Sequence, residues 1–203
     1  SALAQSMVEF DRLAPETWCV VGNCFSLQKE HETALKLFRR AIQLDPHFTY
    51  AHTLSGHEYV ANDELEKATS SFRDALRADD RHYNAWYGLG MVYYRQQQFS
   101  MAQYHFERAI EINPQNSVLH AFVGMVCDRK PRCRVRHDHQ ADDLMMIAST
   151  LMRGYQANQR NEDAIEFFRK AMALDPKNNL AKFKLATMLA AVNEPHVRVR
   201  VAQ

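Results

Sequence analysis

The sequence has little of what marks secreted or membrane proteins. It contains four cysteines and no CxxC pair, which fits a reducing compartment better than a disulfide-stabilised scaffold. Its longest apolar stretch, around residues 144–152, is far too short to cross a bilayer. No basic segment followed by an apolar run stands at the N-terminus, so we expect no secretory signal. These absences predict a protein of the nucleus and cytoplasm.

Motifs for chemistry are also scarce. The net charge of +1 gives no reason to expect a nucleic acid or an acidic membrane as partner. The sequence has no phosphate-binding loop, nucleophile motif or paired-carboxylate arrangement, and its ten histidines are scattered. We therefore expect a protein that is not an enzyme and binds no cofactor or metal. Because the chain starts with Ser1 rather than methionine, we also expect a fragment of a longer protein.

A recurring triplet, Ala-x3-Phe-x2-Ala, is the strongest positive signal. Its four copies begin at Ala34, Ala68, Ala102 and Ala164. The first three copies are 34 residues apart, which is the period of tetratricopeptide repeats (TPRs). Each such repeat is a pair of antiparallel helices that buries its apolar face only against its neighbours. The spacing thus predicts an all-α fold, a right-handed TPR superhelix of antiparallel helix pairs.

Individual positions within the period have distinct packing roles. Position 8 is Gly22, Gly56 and Gly90 in the first three repeats. A glycine within a helix costs about 1 kcal/mol relative to alanine, so its recurrence indicates that two helices approach closely there. Aromatic residues at positions 11 and 24 are expected to fill the space between the helices. Position 4 is Trp18 in the first repeat, and His52 at that position departs from the pattern.

The repeat positions divide the whole chain into segments. Asp-Pro and Asn-Pro pairs mark the ends of repeats, because the residue before proline disfavours the helical conformation. The predicted segments are the second helix of a truncated repeat (1–14), three whole TPRs (15–48, 49–82 and 83–116), an interrupted TPR (117–178), the first helix of an incomplete TPR (179–194) and an irregular tail (195–203).

The fourth repeat carries 28 residues more than the period allows. Removing residues 127–154 joins Val126 to Tyr155 in register and places Tyr155 at the aromatic position 11. Two explanations remain open, a functional insertion or an untranslated stretch such as a retained intron kept in frame. We favour the second, because a functional insertion usually enters at an exposed turn rather than within a helix. If the segment is translated, residues 141–158 are expected to rebuild the first helix and residues 127–140 to form a basic loop.

The extra segment also holds two patterns that we attribute to chance composition. Cys127, Cys133, His137 and His139 are metal-ligand residue types, but their spacing C-x5-C-x3-H-x-H matches no standard zinc module. The basic run at 129–134 resembles a nuclear-import signal, although a solvated loop explains it better.

The candidate binding surface is the concave groove of the superhelix. First-helix positions 2, 5, 9, 12 and 13 are expected to line it, among them Cys19, Thr53 and Val60. Amides, rings, a methionine and one arginine suit an extended peptide, because polar groups bind its backbone or terminus and rings bury its side chains. The predicted peptide-binding residues are Glu16, Asn23, His57, Asn84, Tyr87, Met91, Tyr94 and Arg95.

Two stretches, Trp18–His31 and Arg81–Tyr94, match more than a repeat consensus. They closely resemble the C-terminal repeats of the cell division cycle protein 27 (Hobbit) family, whose members are TPR scaffold subunits of the anaphase-promoting complex (cyclosome), a ubiquitin ligase. The resemblance covers about residues 8–126 and resumes over about 155–192. It implies a non-catalytic subunit that captures the Ile-Arg C-terminal tails of coactivators, contacts neighbouring subunits and supports cell-cycle progression. It also implies that the full-length protein homodimerises through a region absent from this chain.

The resemblance suggests roles for the groove residues. Most of the predicted residues would hold a tail, with Arg95 or Asn23 near its carboxylate and Glu16 near its arginine. Two alternatives stay open, the TPR region of a repeat-bearing enzyme such as a glycosyltransferase, and a generic chaperone adaptor. The adaptor is disfavoured because Cys19 stands where the clamp of chaperone-tail-binding repeats has a lysine.

Overall fold

The computed structural model describes residues 11–129 and 161–193. Within these ranges the chain forms helices joined by short turns and no strand, and no described helix is long and apolar enough to cross a membrane. The chain divides into two units, Ser1–Ile112 and Asn113–Gln203. The helices are α1 (Pro15–Leu27), α2 (His31–Leu44), α3 (Thr49–Ala61), α4 (Leu65–Ala78), α5 (Tyr83–Arg95), α6 (Phe99–Ile112), α7 (Ser117–Arg129), α8 (161–174) and α9 (Asn179–Asn193).

Aspartate side chains close the turns between repeats. Asp45 Oδ1 accepts a hydrogen bond from the backbone N–H of His47 at 2.9 Å, and Asp79 Oδ1 accepts one from Arg81 at 3.0 Å. In the second unit Asp175 plays the same part. Such a side chain holds a turn by bonding the backbone two residues on, so the aspartate at the end of these three repeats helps to reverse the chain direction before the next helix.

The first unit packs three helix pairs around the triplet residues. Phe72 lies between Gly56 of its own repeat and Gly88 of the next, and a Cβ on either glycine would come closer than 3.0 Å to the ring. The glycines are therefore what lets α3 and α5 approach α4. The contact of Gly56 is the one that the spacing predicts at position 8, whereas Gly88, at position 6, adds a contact between repeats that the spacing did not predict. The triplet residues with no exposed surface are Ala34, Phe38, Ala41, Ala68, Phe72, Ala75, Ala102, Phe106 and Ala109. The expected all-α TPR fold is confirmed.

Position 4 contributes a ring N–H in each repeat. Trp86 Nε1 donates to the carbonyl of Asp80 at 2.8 Å, and Trp18 makes the equivalent bond in the first repeat. His52 places Nε2 at 2.9 Å from the carbonyl of Pro46, six residues earlier as in the tryptophan pairs. His52 therefore departs from the pattern only in residue type, since its imidazole bonds the same backbone group.

In the second unit the two helices of the fourth repeat meet through the same glycine–phenylalanine contact as in the other repeats. A Cβ on Gly124 of α7 would lie 2.9 Å from the ring of Phe168 on α8, which repeats the contact between positions 8 and 24. Asn178 Nδ2 donates to Ser117 Oγ at 3.3 Å and joins the two ends of the repeat. The residues between 129 and 161 thus do not prevent α7 and α8 from pairing.

The first helix of the fourth repeat differs from its expected extent. Cys127, which we assigned to the extra segment, lies within α7 and is 8% exposed. The helix has 13 residues, as α1, α3 and α5 do, and it includes Cys127, Asp128 and Arg129. Residues 127–129 therefore belong to the first helix of the repeat and not to a loop. The rest of the extra segment, from residue 130, lies outside the described residues.

Several expectations fall on residues outside the described ranges. They concern the helix of a truncated preceding repeat up to residue 10, the rebuilt helix at 141–158 and the tail from 195. The possible ligands Cys133, His137 and His139 and the basic run beyond Arg129 lie there too. Residues 11–14 are described and are not helical. Among the described residues, no group of three or more His, Cys, Asp or Glu side chains is placed to hold a metal ion.

Candidate peptide-binding groove

All eight predicted groove residues lie on the first helices of the first unit. Glu16 and Asn23 are on α1, His57 is on α3, and the other five are on α5. Because α3 packs against both α1 and α5, the three helices present one continuous series of side chains. Glu16 and Arg95 are exposed, and the other six residues are half-buried.

His57 and Tyr87 form the centre of this surface. Their ring centroids are 6.3 Å apart. Each ring contacts a core phenylalanine of a second helix. The His57 and Phe72 centroids are 5.1 Å apart with the rings edge to face, and those of Tyr87 and Phe106 are 5.9 Å apart with the rings tilted. Packing against the triplet phenylalanines thus helps to hold both groove rings in place.

Burial keeps both rings uncharged. It lowers the pKa of His57, an effect that the charge of Glu58 opposes and that His82 reinforces. Burial also raises the pKa of Tyr87. Near neutral pH the pair therefore presents a neutral imidazole and a protonated hydroxyl, groups that can exchange hydrogen bonds with a peptide backbone.

Arg95, the last residue of α5, reaches back to the end of α3. One of its terminal nitrogens donates to the carbonyl of Val60 at 2.7 Å and lies 3.7 Å from Asp63 Oδ1. The carbonyls at a helix C-terminus carry partial negative charge, which a guanidinium stabilises. Arg95 thereby joins the second and third repeats. Beside it, Tyr94 packs edge-on against Phe99 at 5.7 Å.

Three residues expected in the groove are buried instead. Cys19, Thr53 and Val60 are 1%, 2% and 8% exposed. Cys19 faces the adjacent first helix, since it packs in one cluster with Ala51 of α3. Burial, with a smaller contribution from the charge of Glu16, raises the pKa of the Cys19 thiol to about 12. These three side chains support the groove and do not line it.

A buried carboxylate that the sequence analysis did not identify lies behind the groove. Glu58 is 6% exposed. Its Oε1 accepts a hydrogen bond from Ser26 Oγ at 2.5 Å, and its Oε2 lies 2.6 Å from His31 Nδ1. The contacts join α1, α2 and α3. The sequence did contain a signal for this buried carboxylate. Position 10 holds Val92 and Val126 in later repeats, and a charged side chain at an apolar position is buried only when polar partners compensate it.

Comparisons with known proteins agree with this architecture. Family models described as tetratricopeptide repeat match residues 15–48, 83–116 and 155–178. The crystal structure of MamA superimposes with a TM-score of 0.60, covering 86% of this chain and 85% of MamA at 18% identity. At that identity the likeness shows the fold alone.

Two curated relatives carry the identification further. The chain is 45% identical over 194 residues to anaphase-promoting complex subunit 3 of Schizosaccharomyces pombe, covering 96% of this chain and 25% of the relative. It is 42% identical over 192 residues to cell division cycle protein 27 homolog B of Arabidopsis thaliana, covering 95% and 22%. The chain spans about a quarter of the length of these relatives. It belongs to the cell division cycle protein 27 family of tetratricopeptide-repeat proteins.

Proposed function

We propose that this chain is part of a non-catalytic scaffold subunit of the anaphase-promoting complex that acts in the nucleus and cytoplasm. The extent and identity of its match to relatives that bear the name of that complex support the proposal. Affinity purification of the tagged full-length protein tests it. Recovery of the other subunits of the complex is expected, whereas recovery of a lone catalytic polypeptide would favour the repeat-bearing enzyme.

Within this role the groove captures the Ile-Arg C-terminal tail of a coactivator. The observation that carries this proposal is the pair of half-buried rings, His57 and Tyr87, flanked along α1 and α5 by the amides of Asn23 and Asn84. Rings supply apolar contact area and amides bond a peptide backbone, the combination that extended peptides require.

Charged and polar residues of the groove suit the two charges that the terminal arginine of such a tail carries. Glu16 on α1 is exposed and would pair with the arginine of the tail. Arg95 or Asn23 would bind the terminal carboxylate. A guanidinium has five N–H donors, so the bond to Val60 does not exhaust Arg95. Met91 and Tyr94, both half-buried on α5, would complete the contact with the isoleucine.

A fluorescence-polarisation titration tests the tail hypothesis. The probe is a labelled peptide that ends in Ile-Arg with a free carboxylate, and the control is the same peptide with an amidated end. The amidated form is expected to bind about tenfold more weakly or worse, because it loses a charge-assisted hydrogen bond. Equal binding of the two forms would exclude recognition of the carboxylate.

A further inference from the structure

The outer surface of the third repeat differs from that of its neighbours. In the second helix of each repeat, positions 19 and 22 are Thr33 and Lys36 in the first repeat and Lys67 and Ser70 in the second. In the third repeat the same positions are Met101 and Tyr104, which are 44% and 52% exposed. Polar side chains thus give way to large apolar ones in a single repeat of the first unit.

Tyr104, one turn after Met101 on α6, adjoins further rings. Tyr104 lies 6.4 Å from Trp86 and 5.3 Å from His105, measured between ring centroids, and His105 stacks on Tyr93 at 5.0 Å. His105 is 8% exposed, and its Nδ1 has no hydrogen-bond partner among the described residues. We call Trp86, Tyr93, Met101, Tyr104 and His105 the outer aromatic cluster.

Arginines flank the outer aromatic cluster on two sides. Arg108 lies over the Trp86 ring at 5.6 Å and pairs with Glu111 at 2.5 Å. Arg73, from the preceding repeat, is exposed and donates only a long bond of 3.4 Å to the hydroxyl of Tyr93. In the part of the chain that the structure describes, no carboxylate forms an ion pair with Arg73. One edge of the cluster therefore carries an uncompensated positive charge.

We propose that the outer aromatic cluster binds an acidic segment of a partner protein, with an apolar side chain of the partner on Tyr104 and Met101 and a carboxylate of the partner on Arg73. Tryptophan, tyrosine, methionine and arginine are the residues enriched at protein interfaces and their hot spots. Exposed large apolar groups with a polar rim mark such sites. The charge of Arg73 selects a carboxylate, which a guanidinium binds bidentately. This surface uses both helices of the third repeat, and none of its five side chains is among the predicted groove residues.

Binding of a defined acidic peptide to the 203-residue chain tests the proposal. The probe is labelled Glu-Glu-Leu-Phe-Glu-Glu, acetylated and amidated so that it offers no terminal carboxylate to the groove. Arg73→Glu and Tyr104→Ser are each expected to weaken binding about tenfold. Arg77→Gln, one turn further along α4, and Val118→Ser, which removes an exposed apolar side chain from the second unit, are the matched controls and should stay within about twofold.

A peptide of opposite charge distinguishes a loss of peptide recognition in Arg73→Glu from unfolding of that variant. A peptide in which lysines replace the glutamates should bind Arg73→Glu better than it binds the unchanged chain, a preference that an unfolded variant cannot give. The proposal is overturned if the acidic peptide does not bind, or if it binds all four variants equally. It is also overturned if sedimentation shows a dimer of this chain that Tyr104→Ser dissociates and the peptide does not, because the occupant would then be a second copy.

Discussion

At the scale of single residues, the same turn in three repeats places a side chain in the left-handed region. Lys29, Asp63 and Gln97, each between the two helices of a repeat, have φ values of 63°, 62° and 60°. A side chain in this region costs about 1–2 kcal/mol, and glycine does not incur that cost. Natural residues therefore leave strain in these turns that a substitution can remove.

Gln97→Gly should stabilise the chain by about 0.5–1 kcal/mol, the relief of strain less the greater entropy of glycine in the unfolded chain. Gln96→Gly is the matched control, because Gln96 has φ −74° and glycine there brings only the entropic cost. Urea denaturation monitored by circular dichroism measures both. A loss of stability in both variants would contradict the account.

The buried His105 predicts a dependence of stability on pH. Burial, with a smaller effect from Arg73, lowers its pKa to about 4, against about 6.5 in an unfolded chain. At pH values between 4 and 6.5 the imidazole of His105 is largely protonated in the unfolded chain and largely neutral in the folded chain. The free energy of unfolding should therefore fall by about 2–3 kcal/mol as the pH drops from 6.5 to 4. His57 and His82 have lowered pKa values and act in the same direction.

His105→Phe isolates this contribution. It removes the titrating imidazole, and the fourth repeat already has a phenylalanine, Phe167, at the corresponding position. Urea denaturation at pH 5 and pH 7 should show a smaller difference in the variant than in the unchanged chain. An identical difference in both chains would assign the dependence to other groups.

Sequence predicts single residues well where the requirement is local and repeated. The triplet and the position-8 glycines follow from the period, because each makes the same contact in every repeat. The contacts of Glu58 with Ser26 and His31 depend on side chains 32 and 27 residues apart that no period relates. The burial of Cys19 depends on the neighbouring helix, so it also needed the structure.

At the scale of helices, glycine allows the first and second helices to approach closely. Gly88→Ala should destabilise the chain by about 1–3 kcal/mol, because the added methyl group overlaps the ring of Phe72 and overpacking outweighs the better helix propensity of alanine. Ser70→Ala, at an exposed position of α4, is the control and should change stability little. Thermal denaturation tests this, and equal stability of Gly88→Ala and the unchanged chain would refute the tight contact.

We predict that the extra residues of the fourth repeat are dispensable for the pairing of α7 with α8. Deleting residues 130–157 leaves three residues between α7 and α8, as many as separate the two helices of each of the other repeats, and keeps Gly124 and Phe168. Shortening the connection this far lowers its closure entropy cost by about 2 kcal/mol, so the deleted form should unfold at a higher urea concentration. Loss of helical content or of a cooperative transition would show that the segment is needed.

The register of this repeat was predictable from sequence, and the site of the insertion was not. The period requires 28 extra residues, but removing 127–154 or 130–157 preserves it equally. The aromatic Tyr155 favoured the first choice. The structure instead places Cys127 at the buried position, because the helix continues without a break from Ser117 to Arg129.

At the scale of the whole molecule, two surfaces of the first unit have different chemistry. The groove on the first helices presents neutral rings and amides beside charged residues, which suits the terminus of a peptide. The outer aromatic cluster of the third repeat presents the exposed Met101 and Tyr104 beside Arg73, which suits an acidic segment. The repeat fold thus offers separate surfaces for separate partners within one unit.

The groove is the central claim, and the affinity of groove variants for the Ile-Arg peptide tests it most directly. Tyr87→Ser removes one of the paired rings, Asn84→Ala removes a neighbouring amide, and Ser70→Ala on α4 is the control outside the groove. Dissociation constants from fluorescence polarisation are predicted to rise about tenfold or more for Tyr87→Ser and about threefold to tenfold for Asn84→Ala, with no change for the control. Equal dissociation constants for all four proteins, including the unchanged chain, would contradict the assignment of the groove.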